Sequence, residues 1–174
     1  MSAGYLPRLT LVLGGARSGK SRYAEEILTK APDPWIYLAT AQALDSEMEV
    51  RVADHKKRRG EQWRTVETPL DLPEAIVKHG AGAQPLLIDC LTLWLSNVLL
   101  ATRDIAAESD SLVAALGEVD GPIVVVSNEV GWGIVPDNKL ARAFRDAQGQ
   151  LNQRVAAIAD HVVLVAAGIP LTLK

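Results

Sequence analysis

The chain has 174 residues, of which 48% are apolar and 22% are charged. That length predicts about one domain over residues 1–174, with enough apolar content for a core. The net charge of −3 argues against a general nucleic-acid binder, which needs a basic surface to displace counterions. Only one cysteine is present, Cys90, which excludes an intramolecular disulfide and indicates a reducing compartment. With no membrane-length apolar run and no signal-peptide pattern, we expect a cytoplasmic protein without stable membrane insertion.

Predicted strands alternate with predicted helices along the chain. Short runs rich in Val, Ile and Leu are apolar on both faces, as in buried parallel strands; they are Leu9–Leu13, Trp35–Ala39, Leu86–Cys90, Ile123–Val126 and Val162–Ala166, with a short final strand over Leu171–Lys174. Helical spacing covers Ser21–Lys30, Asp45–Arg59, Leu91–Ala101 and Asp137–Asp160, the last with Gly149 as a weak point. This alternation predicts a three-layer α/β fold, a mostly parallel sheet with helices on both faces.

The strongest motif is a phosphate-binding loop. Residues 14–21, GGARSGKS, match G-x-x-x-x-G-K-[ST], in which glycines let backbone N–H groups turn around an anion. The pattern arises by chance in roughly one chain per hundred of this length, and here it follows a predicted strand and precedes a predicted helix. We therefore predict a nucleoside-triphosphate site, with Lys20 on the β- and γ-phosphates and the Ser21 hydroxyl on Mg²⁺.

A second metal ligand is predicted at the end of a neighbouring strand. Asp89 closes the apolar run Leu86-Leu87-Ile88, where P-loop proteins place the carboxylate that holds Mg²⁺. The alternative is a helix cap, since a predicted helix begins directly after it. Cys90 is interpreted as a small buried residue rather than a nucleophile, because no basic residue adjoins it.

The predicted helix Asp45–Arg59 contains a histidine followed by a basic run, Lys56-Lys57-Arg58-Arg59. One interpretation is a solvated, salt-bridged helix that exposes His55. The other is a nucleophilic imidazole beside cations that hold phosphate oxygens. Composition and spacing do not decide between them.

Further motifs resemble one family over nearly the whole chain. They are Tyr37-Leu38-Ala39-Thr40-Ala41, Asp45-x-Glu47-Met48-x-x-Arg51-Val52-x-x-His55-Lys56-x-x-Arg59, Trp63-Arg64-Thr65-x-Glu67, Asn128-Glu129-Val130-Gly131-Trp132-Gly133-Ile134-Val135-Pro136 and Phe144-Arg145-Asp146-x-x-Gly149-x-x-Asn152-Gln153. With the phosphate loop, this set resembles the bifunctional adenosylcobinamide kinase / adenosylcobinamide-phosphate guanylyltransferase family of cobalamin biosynthesis.

The resemblance implies two reactions and a set of site residues. GTP or ATP phosphorylates adenosylcobinamide, and GTP then transfers GMP to the resulting phosphate through a guanylylated histidine, which falls on His55. Catalytic roles fall on His55 and Lys20, and metal binding on Ser21 and Asp89. Nucleotide contacts fall on Gly14, Gly15, Ala16, Arg17, Ser18, Gly19, Lys20, Ser21, Ala39, Thr40, Ala41, Lys56, Lys57, Arg58, Arg59, Glu67 and Asp89. The family also implies a P-loop NTPase fold of the RecA-like type and a homotrimer.

The loop Asn128–Pro136 follows a predicted strand at the edge where open α/β sheets bind ligands. We predict that it helps to form the corrinoid or acceptor site, with Glu129 as a candidate general base. Trp63, Trp94 and Trp132 are either walls for a large planar ligand or core residues.

Two other functions remain open at this point. A single-activity small-molecule kinase would use the same phosphate loop without a nucleophilic histidine. A nucleotide-operated switch is disfavoured because Ser127-Asn128-Glu129-Val130 lacks the Lys and Asp of the guanine-reading N-K-x-D sequence.

Overall fold

The apolar runs form a parallel sheet in the computed structural model, which describes residues 6–42, 60–82 and 84–174. The strands of these residues are β1 (Leu9–Gly14), β2 (Trp35–Ala39), β3 (Trp63–Glu67), β4 (Leu86–Asp89), β5 (Ile123–Asn128), β6 (His161–Ala166) and β7 (Ile169–Thr172). They pair in the order β3-β2-β4-β5-β1-β6-β7. All neighbours are parallel except β6 and β7, which form an antiparallel hairpin at one edge.

The helices described are α1 (Lys20–Leu28), α2 (Leu72–Gly80), α3 (Leu91–Leu100), α4 (Ile105–Glu118) and α5 (Lys139–Ile158). The helices α4 and α5 each begin with a side-chain cap. The Asp104 carboxylate accepts hydrogen bonds from the first backbone N–H groups of α4, and the Asn138 side chain accepts one from Ala141 N at 2.7 Å. Such caps satisfy donors that have no partner inside the helix.

The core lies in two layers, one on each face of the sheet. Alternate strand residues point to opposite faces. On one face Ala24, Ile27 and Leu28 of α1 pack against strand residues such as Val12 and Val124. On the other face, residues of α2, α3, α4 and α5 pack against the opposite strand positions. The predicted three-layer α/β arrangement is therefore confirmed.

Trp94 belongs to this second layer and is fully buried. Its indole N–H donates a hydrogen bond to the Leu70 carbonyl at 2.9 Å, so Trp94 is a core residue and not a ligand wall. Trp132, in contrast, is 75% exposed, and Trp63 packs against the rings of Trp35 and Tyr37.

Several boundaries differ from the predictions. The strand β3 was not predicted. It lies at the edge of the sheet, and its exposed Arg64 and Glu67 interrupt the continuous apolar run by which the buried strands were found. The helices α2 and α4 were not predicted either. Gly149 does not interrupt α5. The final strand begins at Ile169, earlier than predicted, directly after a turn with positive φ at Ala167 and Gly168.

Within the described ranges, no helix has both the length and the apolarity that a membrane span requires.

Candidate active site

The predicted phosphate loop connects β1 to α1 at the carboxyl edge of the sheet. Gly14, the last residue of β1, is paired with Asn128 of β5 and Val165 of β6. The loop ends at Gly19, whose φ of 97° is strained for any residue with a side chain. The predicted strand–loop–helix context of the motif is thus confirmed.

Carbonyl hydrogen bonds orient the peptide groups of this loop. The Gly14 oxygen accepts a bond from Glu129 N at 3.1 Å, and the Ser18 oxygen accepts one from Gly168 N at 2.8 Å. In a trans peptide the N–H points away from the carbonyl. The N–H groups of Gly15 and Gly19 are consequently directed away from β5 and from the β6–β7 turn, as in a concave anion-binding nest.

Lys20 begins α1 and is mostly buried, with 9% of its surface exposed. Its ammonium donates to the Gly15 carbonyl at 3.0 Å, within the phosphate loop. Burial lowers the pKa of Lys20 below its usual value, while the nearby Cys90 and Asp89 oppose this shift. A desolvated cation inside an anion-binding loop gains strongly from a phosphate oxygen as partner.

Three of the predicted nucleotide-binding residues form one row across neighbouring strands. Asp89 at the end of β4 is paired with Ala39 of β2, which is paired with Glu67 of β3. Asp89 accepts a hydrogen bond from the Tyr37 hydroxyl at 3.0 Å. This bond orients the carboxylate at the same edge as the phosphate loop.

Beside this row, the Thr40 hydroxyl bonds to the chain at Cys90. It donates to the Cys90 carbonyl at 2.7 Å and accepts from Cys90 N at 2.8 Å. The Thr40 carbonyl accepts from the Asn97 amide at 2.8 Å, and Thr40 N donates to the Asp89 carbonyl at 3.3 Å. Thr40 is fully buried, so its polar groups join β2 to the turn between β4 and α3, where the Asp89–Cys90 peptide is cis.

Cys90 is buried and unreactive in character, as predicted. Burial raises the pKa of its thiol to about 12, and the Asp89 charge adds to this effect. At neutral pH the side chain is therefore a protonated thiol, and a thiol is a poor nucleophile.

A polar cluster lies at the end of β5, the strand between β4 and β1. Glu129 follows β5, and its Oε1 accepts a hydrogen bond from Asn152 Nδ2 at 3.1 Å. Asn152 also contacts Ser127 and Gln148, and these three side chains are buried. The backbone N–H of Asn128, which precedes Glu129, donates a hydrogen bond to Thr92 Oγ1 at 2.9 Å. This bond anchors the end of β5.

The structure thus brings Gly14–Ser21, Asp89 and Glu129 to one edge of the sheet. Ala41 lies just beyond β2 and is partly buried. The predicted nucleophile His55 and the basic run Lys56, Lys57, Arg58 and Arg59 lie outside the described residues.

Sequence reasoning assigned no role to the residues that position this site. Tyr37, Asn97 and Asn152 act through partners that are more than 20 residues away in the chain. One signal was available for Asn152, because it shares the buried helix face of Leu151 and Val155, where a polar residue needs a partner.

Comparison with known proteins identifies the family. The model of the cobinamide kinase / cobinamide phosphate guanyltransferase family matches residues 10–173. The chain belongs to this family. It is 45% identical to the bifunctional adenosylcobalamin biosynthesis protein CobP of Pseudomonas aeruginosa, with 94% of this chain and 96% of that protein covered. It is 42% identical to CobU of Salmonella typhimurium, with 95% and 99% covered, and 40% identical to CobU of Escherichia coli, with the same coverage.

Solved structures support the fold. A prototypical ATPase of a bacterial type III secretion system superposes with a TM-score of 0.59 at 14% identity, covering 96% of this chain and 57% of that one. The ATPase EscN of enteropathogenic E. coli gives the same TM-score at 13% identity, covering 92% of this chain and 43% of that one. At such low identity these likenesses show an α/β P-loop NTPase fold alone.

Proposed function

We propose that the chain catalyses two successive transfers to a corrinoid. In the first, GTP or ATP phosphorylates the hydroxyl of adenosylcobinamide. In the second, GMP passes from GTP to adenosylcobinamide phosphate, giving adenosylcobinamide-GDP and pyrophosphate. The observation that carries this proposal is the phosphate loop with its oriented amides, placed beside Asp89 and Glu129 in a chain of this family.

In the kinase step, the substrate hydroxyl oxygen attacks the γ-phosphorus. The bond from that phosphorus to the β–γ bridging oxygen breaks, and the nucleoside diphosphate leaves. Glu129 accepts the hydroxyl proton. Lys20 leaves the Gly15 carbonyl, to which it donates at 3.0 Å, and stabilises charge on the phosphates.

The donor set also suits Mg²⁺. Ser21 offers a hydroxyl oxygen and Asp89 a carboxylate oxygen already oriented by Tyr37, and hard oxygen ligands are those that Mg²⁺ prefers. In the described ranges no group of three or more His, Cys, Asp and Glu residues could hold a metal ion. As in other phosphoryl-transfer enzymes, oxygens of the nucleotide phosphates would join Ser21 and Asp89 around the ion. When bound, Mg²⁺ neutralises charge that develops on the phosphate oxygens.

In the guanylyl transfer, a neutral His55 imidazole attacks the α-phosphorus of GTP, and pyrophosphate leaves. The acceptor phosphate oxygen then attacks the same phosphorus and releases His55. This assignment of His55, and of Lys56 to Arg59 as its phosphate-holding neighbours, is supported by the family resemblance and by the nucleophilicity of neutral imidazole near pH 7.

The proposal includes a homotrimer in the cytoplasm. Its support is the resemblance, together with exposed apolar side chains at the β7 edge, Ile169, Leu171 and Leu173, which subunit contacts would cover. Light scattering of the purified chain would give three times the chain mass of 18.7 kDa. A monomeric mass would contradict the trimer.

The kinase activity is tested by the transfer of labelled γ-phosphate from GTP or ATP to adenosylcobinamide. Lys20→Met should reduce transfer by more than about 100-fold, because a preorganised charge on the phosphates is lost. Lys30→Met is the matched control, since Lys30 is exposed two residues beyond the end of α1, and it should transfer phosphate at the normal rate. If the unsubstituted chain binds nucleotide and hydrolyses it slowly, but transfers no phosphate to adenosylcobinamide, the proposal is contradicted and a nucleotide-operated switch is favoured.

A further inference from the structure

The buried polar cluster beside Glu129 does more than join α5 to the sheet. We propose that Asn152 is a positioning residue, which holds the Glu129 carboxylate as proton acceptor for the kinase step. Ser127 and Gln148 in turn fix the direction of the Asn152 amide. This inference rests on the proposed function, because it needs Glu129 to act in the phosphoryl transfer.

The main chain of Glu129 is anchored first. Its N–H donates to the Gly14 carbonyl at 3.1 Å, so the backbone is bonded to the first residue of the phosphate loop. The side chain then accepts a hydrogen bond from Asn152 Nδ2 at 3.1 Å. Both ends of Glu129 are consequently held next to the loop that receives the phosphates.

The direction of the Asn152 amide is determined by a backbone group. The Asn152 atom 3.0 Å from the Asn128 carbonyl oxygen must be Nδ2, because a carbonyl oxygen only accepts. The same NH₂ group has a second proton, and this one is directed at Glu129 Oε1. A reversed amide would place its oxygen against two acceptors.

The opposite end of the amide reinforces this direction. Asn152 Oδ1 accepts from Ser127 Oγ at 2.7 Å and from Gln148 Nε2 at 2.9 Å. Gln148 Nε2 also donates to Ser127 Oγ at 2.9 Å, which leaves the Ser127 proton for Asn152. Ser127 and Gln148 are fully buried and Asn152 is 4% exposed, so water does not compete for these bonds.

The polar cluster carries an energetic cost that an apolar helix face would avoid. The side-chain oxygen of Gln148, Oε1, is buried and has no hydrogen-bond partner in the described part of the chain. Apolar residues would fill the same helix face, as Leu151 and Val155 do, without an unpaired acceptor. The observed arrangement instead directs one N–H at a carboxylate oxygen, which fixes the orientation of the Glu129 side chain.

The test is a comparison of two buried changes on α5. Asn152→Leu removes the donor to Glu129, whereas Val155→Ala, on the same helix face, loosens the core without touching the cluster. We expect Asn152→Leu to lower kcat of the kinase step about 10–100-fold, with KM for the nucleotide unchanged. Its guanylyl transfer to adenosylcobinamide phosphate should stay near normal, because that acceptor needs no deprotonation. Val155→Ala should leave both rates near normal despite a lower urea midpoint.

A double-mutant cycle separates this inference from the proposed function. Glu129→Gln should slow the kinase step, and Asn152→Leu should then add no further loss. If Glu129→Gln leaves the kinase rate intact, the base assigned under the proposed function is wrong and the role of Asn152 falls with it. If Glu129→Gln slows the step but Asn152→Leu behaves like Val155→Ala, or the two losses add, only the positioning role is overturned.

A milder variant covers the case in which Asn152→Leu does not fold. Ser127→Ala removes one of the two donors to Asn152 Oδ1 and keeps nearly the same volume. It should lower kinase kcat by roughly 3-fold, a part of the full positioning effect, and leave guanylyl transfer unchanged. An unchanged kinase rate in this variant, or an equal loss in both reactions, would contradict the inference.

Discussion

The two adjacent glycines of the phosphate loop are predicted to respond differently to the same substitution. A Cβ at Gly14 would lie 2.5 Å from Ser18 Oγ and 2.6 Å from the backbone oxygen of Val165. The serine side chain can rotate, but Val165 is held in β6 between β1 and β7. A Cβ at Gly15 meets no atom within 4 Å.

Gly14→Ala should therefore behave as an overpacked core substitution, which costs about 1–3 kcal/mol. A loss of about 2 kcal/mol corresponds to a decrease of about 4–8 °C in melting temperature for a chain of this length. Gly15→Ala should change the free energy of unfolding by less than about 0.5 kcal/mol, as exposed substitutions do. Urea unfolding and thermal melts of both variants measure the difference.

The expected loss in Gly14→Ala has a functional consequence. Relief of the clash moves Ser18 or β6, and the Ser18 carbonyl accepts the bond from Gly168 that orients the loop. We expect weaker nucleotide binding together with the lower stability. Equal stability of the two variants would contradict this prediction, because the expected difference comes from close contacts that Gly15 lacks.

Two further predictions concern the junction beside Asp89. Thr40→Val should lower the free energy of unfolding by about 1–3 kcal/mol, because it leaves buried backbone groups of Cys90 without their partner. Thr40→Ser keeps the hydroxyl and should lose less stability in the same urea titration. Equal losses in the two variants would contradict this role of the hydroxyl. Burial raises the thiol pKa of Cys90 to about 12, so at pH 8 only about one thiol in ten thousand is a thiolate. In the urea-unfolded chain the cysteine has a pKa of about 8.5. Thiol reagents should therefore label the native chain about 1,000-fold more slowly than the unfolded chain. Rapid labelling of the folded protein would show that the thiol is exposed.

The central strands were predictable because burial on both faces leaves a continuous apolar run. Val124, Val125 and Val126 of β5 are all buried, and no helical period fits so short a segment. The edge strand β3 was not predictable in this way, since Arg64, Thr65 and Glu67 are exposed. Its pairing with β2 determines its structure, and the local pattern does not record that pairing.

Gly149 shows where a local signal is overruled. A glycine inside a helix costs about 1 kcal/mol relative to alanine, so Gly149 was expected to be a weak point of the predicted helix. The flanking face formed by Leu151, Asn152 and Val155 is buried against the sheet, and this packing keeps α5 continuous.

The phosphate loop was predictable for a different reason, since its chemistry requires certain residue types at fixed spacing. The residues that orient the site were not, because their bonds join distant parts of the chain. Thr40 and Cys90 are 50 positions apart in the chain, and Tyr37 and Asp89 are 52 positions apart. Only the folded sheet places such pairs at one edge.

A guanylylated histidine in a two-step transferase would be detected directly by the intact mass of the protein after incubation with Mg²⁺ and GTP without acceptor. We predict a gain of one GMP that is lost in acid, survives base and does not form in the His55→Asn variant, as expected for a phosphoramidate on His55. An unmodified mass, with GTP binding shown to be intact, would contradict the covalent mechanism and favour a single-activity kinase.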